Sequence, residues 1–448
     1  MSQYHASRAA AATTVELMPT PLVDWLRAQD DDTLADLLRL RPDLAVPPPA
    51  DLTVLATRAG IRASVHRACD ELDTVALQVI EALVVADADS APVALDEVRR
   101  LLGPDLPPAA LDAALAALRA RALVWDAADP DTSGAQWAGL SLVPAARDVV
   151  SRFPGGLGRP AAGVASSSAL PRLLAEIDPD ERRVLDTLAA GPPVGRSRSG
   201  ADPTSPVARL LARGLLVRVD AETVELPRQV GLALRGDRPL GALAVAPPDI
   251  ATVERGVEVV DGTAAGAALR ALRQVEQIVA FWGVNPPAVL RSGGLGVRDL
   301  RRIAREVDAD ETVAALLVEI AVAADLVAAT DSVGPEWVPT TVVDAWSAAG
   351  PEQRWAVLAR AWLDLPRLPG LVGSKDDAGR SIAALSDGPR RPTAPRDRRR
   401  VLAGLAELSP GTAVGASARG DRPAVPDAGP ALSGPSGALA DLLAWRAP

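Results

Sequence analysis

The chain has 448 residues, and 48% of them are apolar, which is enough to build several buried cores. Its formal net charge of −10 excludes a protein that coats nucleic acid through its bulk charge, although a local basic patch is compatible with that charge. A single cysteine excludes a disulfide framework, and two histidines leave almost no material for a zinc site. Neither a membrane-spanning apolar run nor a convincing secretion signal is present, so we expect a cytoplasmic protein.

The N-terminal region predicts a short tail followed by a small helical head. Residues 1–20 have no apolar periodicity and are predicted to be a disordered tail. From Leu22 to Leu38 the leucines and a tryptophan recur at helical spacing, and Asp30 begins a second helix as its N-cap. We therefore predict a helical head over residues 21–70.

One pattern then occurs three times, and internal repeats of this kind indicate modular architecture. Each copy has two or three short helices, then two short apolar runs around a polar turn, and finally a proline. Short amphipathic helices and an isolated hairpin cannot bury their apolar faces alone, so each hairpin has to cover its own helices. The order predicts three winged-helix-like domains, at residues 71–153, 171–235 and, with flanking helices, 264–370.

The segments between and after these copies differ in composition. Residues 154–170 are rich in Gly, Ala and Ser and predict a flexible linker. Residues 236–263 are predicted to form a connector with an extra strand pair, and residues 371–448 are predicted to be mostly disordered. The closing residues, ALADLLAWRAP, read as a helix cut off near its start, so we expect an ancestral chain that continued, or a fragment. The predicted fold class is mainly α with small β-hairpins.

The head resembles a known family. Residues 21–60, PLVDWLRAQDDDTLADLLRLRPDLAVPPPADLTVLATRAG, are similar to the opening of actinobacterial helicase-associated-domain proteins, which carry a domain similar to the N-terminal region of XPB-type DNA repair helicases. The resemblance extends to about residue 370, and members of the family are generally longer. It implies a non-catalytic protein that binds DNA weakly, docks an XPB-type helicase or another repair or transcription protein, and uses no cofactor.

The residues themselves also argue against an enzyme. A nucleotide motor needs a glycine loop ending in Lys and Ser or Thr, and the only lysine, Lys375, lies in GLVGSKDD. Cys69 has His66 one helical turn away, which can activate a thiolate, but a buried structural cysteine is the favoured interpretation. The glycine clusters at 155–158 and 292–296 favour turns over anion sites. No catalytic, cofactor-binding or metal-binding residue is predicted.

A winged helix that reads DNA usually places basic side chains on its third helix. In the first copy this helix has only Arg119 and Arg121, and in the third copy it has four acids and no base. The second copy fits better, because Arg209 and Arg213 lie one turn apart and a basic loop precedes them. A solvated helix face explains the same arginines equally well.

Two further basic segments are candidates for phosphate contact. The helix at 297–307 carries arginines along one side, although a solvated face paired with Asp299 and Glu306 would look the same. The arginine-rich run at 390–400 fits non-specific nucleic-acid contact or an acidic partner. The candidate nucleic-acid-binding residues are Arg196, Arg198, Arg209, Arg213, Arg298, Arg301, Arg302, Arg305, Arg398, Arg399 and Arg400.

Three tryptophans are candidates for stacking on unpaired bases. Trp125, Trp137 and Trp337 fall on predicted wing strands, where packing on their own domain is the favoured interpretation. Trp355 and Trp362 are predicted to bury against the third copy.

Three functions stay open. The first is a helicase-associated winged-helix protein that binds DNA, a helicase partner, or both. The second is a protein-interaction scaffold without DNA binding. The third is a transcriptional regulator, which requires a sequence-reading third helix that only the second copy could supply.

Overall fold

The computed structural model describes residues 21–128, 137–162, 164, 169–197, 204–415 and 435–448. These residues are mainly helical with small antiparallel sheets, which confirms the predicted fold class at that level. They divide into two compact units, one of Met1–Pro248 with Ala444–Pro448 and one of Asp249–Leu443. The boundary falls inside the predicted connector. Within the described residues, no helix is long and apolar enough to cross a membrane.

The head consists of five short helices. They are α1 (Leu22–Arg27), α2 (Asp31–Leu40), α3 (Pro42–Ala45), α4 (Leu52–Ala59) and α5 (Arg62–Cys69). The side chains of Asp30 and Asp51 accept hydrogen bonds from backbone N–H groups three residues ahead, so each caps a helix, and the cap predicted at Asp30 is confirmed. Leu26 and Leu55 are buried in the same core as the module that follows, so head and module share one apolar interior.

The first module follows the head in the same unit. It contains α6 (Thr74–Val85), α7 (Leu95–Leu102), α8 (Pro108–Ala120), β1 (Val124–Ala128) and β2 (Trp137–Leu142). β1 and β2 pair antiparallel, with Val124 opposite Leu142. Val93, in the segment between α6 and α7, makes a β-bridge to Leu140 of β2. The Leu142 N–H also donates to the Ala88 carbonyl at 2.9 Å, so the segment between α6 and α7 is bonded to the hairpin at two places.

The second module repeats this order with a complete small sheet. It contains α9 (Leu170–Ala175), α10 (Pro179–Ala190), β3 (Val194–Arg196), α11 (Pro206–Ala212), β4 (Val217–Arg218), β5 (Thr223–Glu225) and α12 (Arg228–Arg235). The sheet order is β3-β5-β4. Leu215 and Leu216 are both buried while Val219 is 42% exposed. The alternating apolar pattern at 215, 217 and 219 would predict one buried strand face, but the strand begins only at Val217, so these residues do not share such a face.

The segment predicted as a flexible linker, 154–170, is packed over its first part. Leu157 is buried, and Arg159 forms an ion pair with the nearly buried carboxylate of Glu225, at 2.5 Å between Nη2 and Oε2. At Gly158 a Cβ would lie 2.0 Å from the carbonyl oxygen of Leu226, so glycine here permits a close backbone approach. Glycine in this segment therefore permits close packing and is not only a mark of a flexible linker. Residues 163 and 165–168 lie outside the described part.

The second unit carries the third copy of the pattern with further helices. Its elements are β6 (Thr252–Glu254), α13 (Val257–Val284), α14 (Val297–Glu306), α15 (Glu311–Ala323), β7 (Val327–Ala329), β8 (Trp337–Pro339), α16 (Val342–Ala348), α17 (Pro351–Asp364), α18 (Ala394–Ala406) and β9 (Thr412–Val414), and α19 (Pro435–Arg446) follows. β7 pairs antiparallel with β8, with Val327 opposite Pro339. Ala288, before α14, makes a β-bridge to Glu336.

The prediction that residues 371–448 are mostly disordered needs correction. α18 spans Ala394–Ala406, and β9 pairs with β6, so the strand pair expected inside 236–263 instead joins that segment to Thr412–Val414. Composition missed this order because the contacts are long-range: Arg391 N–H donates to the Pro366 carbonyl oxygen at 2.9 Å. Residues 1–20 and 416–434 lie outside the described part.

We expect Gly158→Ala to destabilise the first unit by about 1–3 kcal/mol, because the added methyl group must displace the Leu226 carbonyl. Calorimetry of the full chain measures the shift of the corresponding unfolding transition. Gly370→Ala is the matched control, since a Cβ at Gly370 meets nothing within 4 Å. Equal unfolding temperatures for the two variants would contradict the close approach.

Candidate nucleic-acid interface

The arginines of the second module are engaged inside the protein. Arg209 on α11 donates from Nε to the Oε1 of Glu181 at 3.0 Å and also pairs with Asp178. Asp178 is the N-cap of α10, and with Glu181 it forms a capping box. The N–H of Glu181, helped by the charge of Arg209, holds the pKa of Asp178 below its ordinary value. Arg209 thus completes a helix cap.

The other candidates in this module are only partly available. Arg213 lies 3.8 Å from the carboxylate of the buried Glu181 and donates to the Glu176 carbonyl at 3.5 Å. Arg196 is exposed on β3, opposite Thr223 of β5. The pKa of Asp220 is lowered mainly by hydrogen bonds from the N–H groups of residues 222 and 223 and from the Thr223 side chain, and the positive charge of Arg196 lowers it slightly further. Arg198 lies outside the described residues.

The arginine-rich run at 390–400 is largely a helix that packs against its own unit. Arg398 is 9% exposed, donates to the carbonyl oxygens of Leu365 and Arg367, and has its guanidinium carbon 5.5 Å from the centre of the Trp362 ring. Arg399 pairs with Asp364, and Arg400 lies 3.8 Å from Asp397. The prediction of a flexible basic segment is therefore wrong for α18.

The arginines of α14 form an exposed basic surface. Arg298, Arg301, Arg302 and Arg305 lie at i, i+3, i+4 and i+7, which is one helix face, and we call this set the α14 arginine face. All four side chains are exposed, whereas Leu300, Ile303 and Ala304 are buried on the opposite side.

Most of these charges are not neutralised. Arg301 pairs with Glu311 at 2.9 Å, and both side chains of this pair are more than half exposed, so the pair is weak. Arg302 donates to the side-chain oxygen of Asn285 at 3.3 Å and stacks over the Phe281 ring, 4.8 Å from its centre. In the described part of the chain, neither Arg302 nor Arg298 nor Arg305 has a carboxylate within salt-bridge distance. The pairing with Asp299 and Glu306 that the alternative interpretation included is therefore not formed.

The third helices of the first and third modules offer no basic face. On α8 the exposed positions are Pro108, Ala109, Asp112, Ala113 and Ala116, and Arg119 pairs with Asp126 at 2.7 Å. On α15 most residues are buried, and Glu319, 2% exposed, is held by Arg367 at 2.6 Å and by the Leu385 N–H at 2.7 Å. Neither helix can place an arginine in a groove.

The sequence analysis did not predict the arginines whose side chains bind backbone carbonyl oxygens inside the protein. Arg41, 1% exposed, donates to the carbonyl oxygens of Ala59 and Arg121, at 3.0 and 2.9 Å, and to the Ser64 hydroxyl at 2.6 Å. Arg235 reaches several carbonyl oxygens in the same way. No spacing signal could reveal them, because a backbone carbonyl is present at every residue.

The tryptophans divide between core and surface. Trp125 and Trp337 are 6% and 8% exposed, and the Trp337 Nε1 donates to the Gly294 carbonyl at 3.4 Å, so packing on their own modules is confirmed. Trp355 is 42% exposed and Trp362 only partly buried, so the prediction that Trp355 buries against the third copy is wrong. The side chain of Trp137 lies outside the described part.

The cysteine lies in the core as predicted. Cys69 is 5% exposed, and burial raises the pKa of its thiol to about 12. A thiol with that pKa stays protonated and is a poor nucleophile at neutral pH. Among the described residues no group of three His, Cys, Asp or Glu is placed to hold a metal ion.

Comparison with known proteins identifies no relative. No family model, no curated protein and no solved structure matches the chain. The resemblance of residues 21–60 to helicase-associated proteins therefore stays a prediction, and function has to be argued from geometry.

We expect native Cys69 to resist a thiolate-selective alkylating reagent at pH 9, with labelling about a thousandfold slower than in the denatured chain, since the thiolate fraction scales with the pKa difference. The raised pKa also means that the thiol's contribution to stability is complete below the unfolded pKa and is lost as the pH rises from about 9 to 12. Mass spectrometry measures the labelling, with a urea-denatured sample as control. Rapid labelling of the folded protein would contradict the burial of this thiol.

Proposed function

We propose that the chain is a non-catalytic DNA-binding protein of three tandem winged-helix modules, which holds the DNA backbone through the α14 arginine face. In this proposal it works beside a helicase of the XPB type in DNA repair or transcription. The main observation that supports this proposal is a helix face with four exposed arginines, three of which have no carboxylate partner in the described part of the chain.

The strand pairing supports three winged-helix modules. In each copy an extended segment between the first helix and the third pairs with the last strand. These contacts are Val93 with Leu140, β3 with β5, and Ala288 with Glu336. The last strand also pairs with the strand before it in every copy. A helix-turn-helix core closed by such a hairpin is the arrangement that winged-helix proteins use to present a helix or a wing to DNA.

The α14 arginine face suits phosphate contact. Arg298 and Arg305 are seven residues apart, or about 10 Å along a helix, which spans roughly three phosphates of one strand. Guanidinium groups bind phosphate oxygens in fork geometry and stay charged at all working pH values. Such contacts position a protein on DNA without reading sequence.

The third helices support binding that does not depend on sequence. α8 exposes alanines and Asp112, α15 is mostly buried, and the arginines of α11 are engaged by Asp178 and Glu181. A reader of base edges needs free Arg, Lys, Asn or Gln on the helix that enters the groove. The geometry therefore does not favour a transcriptional regulator with a sequence-specific site.

The second candidate is a protein-interaction scaffold without DNA binding. It is favoured by the exposed face of α8, which carries Ala113, Ala116 and Asp112 and no basic side chain, and by the net charge of −10. Under this alternative the α14 arginine face would meet an acidic protein surface. The helicase partner of the first proposal depends on the resemblance of the head.

We expect the triple variant Arg298→Gln, Arg302→Gln, Arg305→Gln to bind duplex DNA more weakly at low salt. The slope of log K against log salt concentration should decrease by about 2–3, because three phosphate contacts are lost at about 0.9 each. Fluorescence anisotropy of a labelled duplex, across a salt series, measures both quantities.

The matched control changes three exposed arginines of the second module, Arg172→Gln, Arg182→Gln and Arg183→Gln, which alters the net charge equally and should leave the slope as in the unchanged chain. Equal slopes for the α14 variant and the unchanged chain would exclude this face as the DNA contact. No binding by the unchanged chain at low salt, with partner recovery unaffected by nuclease, would favour the scaffold.

A further inference from the structure

A small pocket in the first unit is lined by four arginines. It has a volume of about 290 Å³ and is formed by residues 147–154, by residues 158–160 and by the first residue of α12. The guanidinium groups in its lining belong to Arg147, Arg152, Arg159 and Arg228. Among the described residues of this lining, Asp148 is the one carboxylate, and it pairs with Arg62 at 3.3 Å. The pocket therefore gathers basic side chains from the first and the second module.

Arg228 is the buried arginine of this set. It is 7% exposed, its Nη1 donates to the Val85 carbonyl at 2.8 Å, and the same nitrogen lies 3.3 Å from a carboxylate oxygen of Asp87. Among the described residues, its Nη2 has no hydrogen-bond partner. A guanidinium N–H that is removed from water without an acceptor is costly. The wall of the pocket therefore favours a ligand that accepts a hydrogen bond there.

Arg147 and Arg159 are held in place by acids that lie outside the lining. Nε and Nη2 of Arg147 donate to the two carboxylate oxygens of Asp89 at 2.7 Å, and Nε and Nη2 of Arg159 donate to Glu225 at 3.0 and 2.5 Å. Each arginine thus uses one edge of its guanidinium group, and its Nη1 makes no hydrogen bond in the part of the chain that the structure describes. Because the acids fix both side chains, these Nη1 groups are oriented before a ligand arrives.

Arg152 supplies a charge that no acid compensates. It is exposed, and its guanidinium carbon lies 5.4 Å from the centre of the neighbouring Phe153 ring. No carboxylate of the described residues lies within salt-bridge distance of it. The four arginines of the lining carry four positive charges, whereas the acids that bind them carry three negative charges, on Asp87, Asp89 and Glu225. The pocket thus keeps one net positive charge together with unpaired N–H donors.

We propose that this pocket binds the phosphate group of a small phosphorylated molecule. Guanidinium groups bind phosphate through charge-assisted hydrogen bonds, often in pairs. A phosphate monoester offers three acceptor oxygens and close to two negative charges, so it can use several of these donors at once. The volume of the pocket lies at the lower end of the range for ligand sites, which suits a molecule of the size of glycerol phosphate. The proposal does not depend on DNA binding.

Isothermal titration calorimetry of the full chain with glycerol 3-phosphate and with inorganic phosphate tests the proposal. We expect both probes to bind at low salt, whereas uncharged glycerol should not bind. Arg152→Gln should weaken the binding of both probes about tenfold or more, because a charge-assisted hydrogen bond is lost. This substitution leaves the buried acids paired, and thermal unfolding checks that the variant is folded.

Arg218→Gln is the matched control. Arg218 is an exposed arginine of the same unit, it donates to the Ala221 carbonyl at 3.2 Å and has no carboxylate partner among the described residues, and it lies outside the pocket. Its replacement changes the net charge of the chain by the same amount and should leave the affinity for both probes unchanged.

Three outcomes would overturn the proposal. The first is the absence of phosphate binding by the unchanged chain, or equal affinities for the Arg152 and Arg218 variants. The second is a loss of glycerol phosphate binding in the α14 triple variant instead, which would place the phosphate on the α14 arginine face. The third is a loss of duplex DNA affinity in Arg152→Gln as large as in the α14 triple variant, which would make the pocket a contact for the DNA backbone.

Discussion

The guanidinium group is the constraint on which both units depend. Of the 47 basic residues one is lysine, so nearly every cation is a planar fork with five donors. Arg41 and Arg398 are almost fully buried and donate to carbonyl oxygens at helix ends, Arg41 to Ala59 at the end of α4 and Arg398 to Leu365 just after α17. Because an unpaired buried carbonyl is costly, these arginines stabilise the helix ends, and each one so used is unavailable to phosphate.

Buried carboxylates determine which arginines form ion pairs within the protein. Glu181, Glu225 and Glu319 are each less than 5% exposed, and each is paired with an arginine. Removing one partner of such a pair would leave an uncompensated buried charge, which is strongly destabilising. The basic surface left for a partner is therefore set by where the acids lie, not by where arginine is most frequent.

Local signals in the sequence predicted the elements better than their partners. The cap at Asp30, the repeated order of helices and strands, and the burial of Cys69 follow from spacing and side-chain type within one turn or hairpin. The pairing of β6 with β9 and the packing of residues 154–159 depend on distant contacts that no local pattern encodes. The candidate site divides in the same way: the α14 arginine face was visible as a helical stripe, whereas the engagement of Arg209 and Arg398 was not.

A comparison of α11 with α14 shows what decides the fate of an arginine on a helix face. Both helices carry arginines one turn apart, and α11 packs against α10 whereas α14 packs against α13. At the start of α10 stand Asp178 and Glu181, whose carboxylates bind Arg209. In the third module the neighbouring groups are Phe281 and Asn285. The Arg302 guanidinium stacks on the Phe281 ring and donates one long hydrogen bond to the Asn285 side-chain oxygen, and neither contact neutralises its charge. Since a ring and an amide leave the charge intact, α14 keeps a positive face that α11, with the same spacing, has lost.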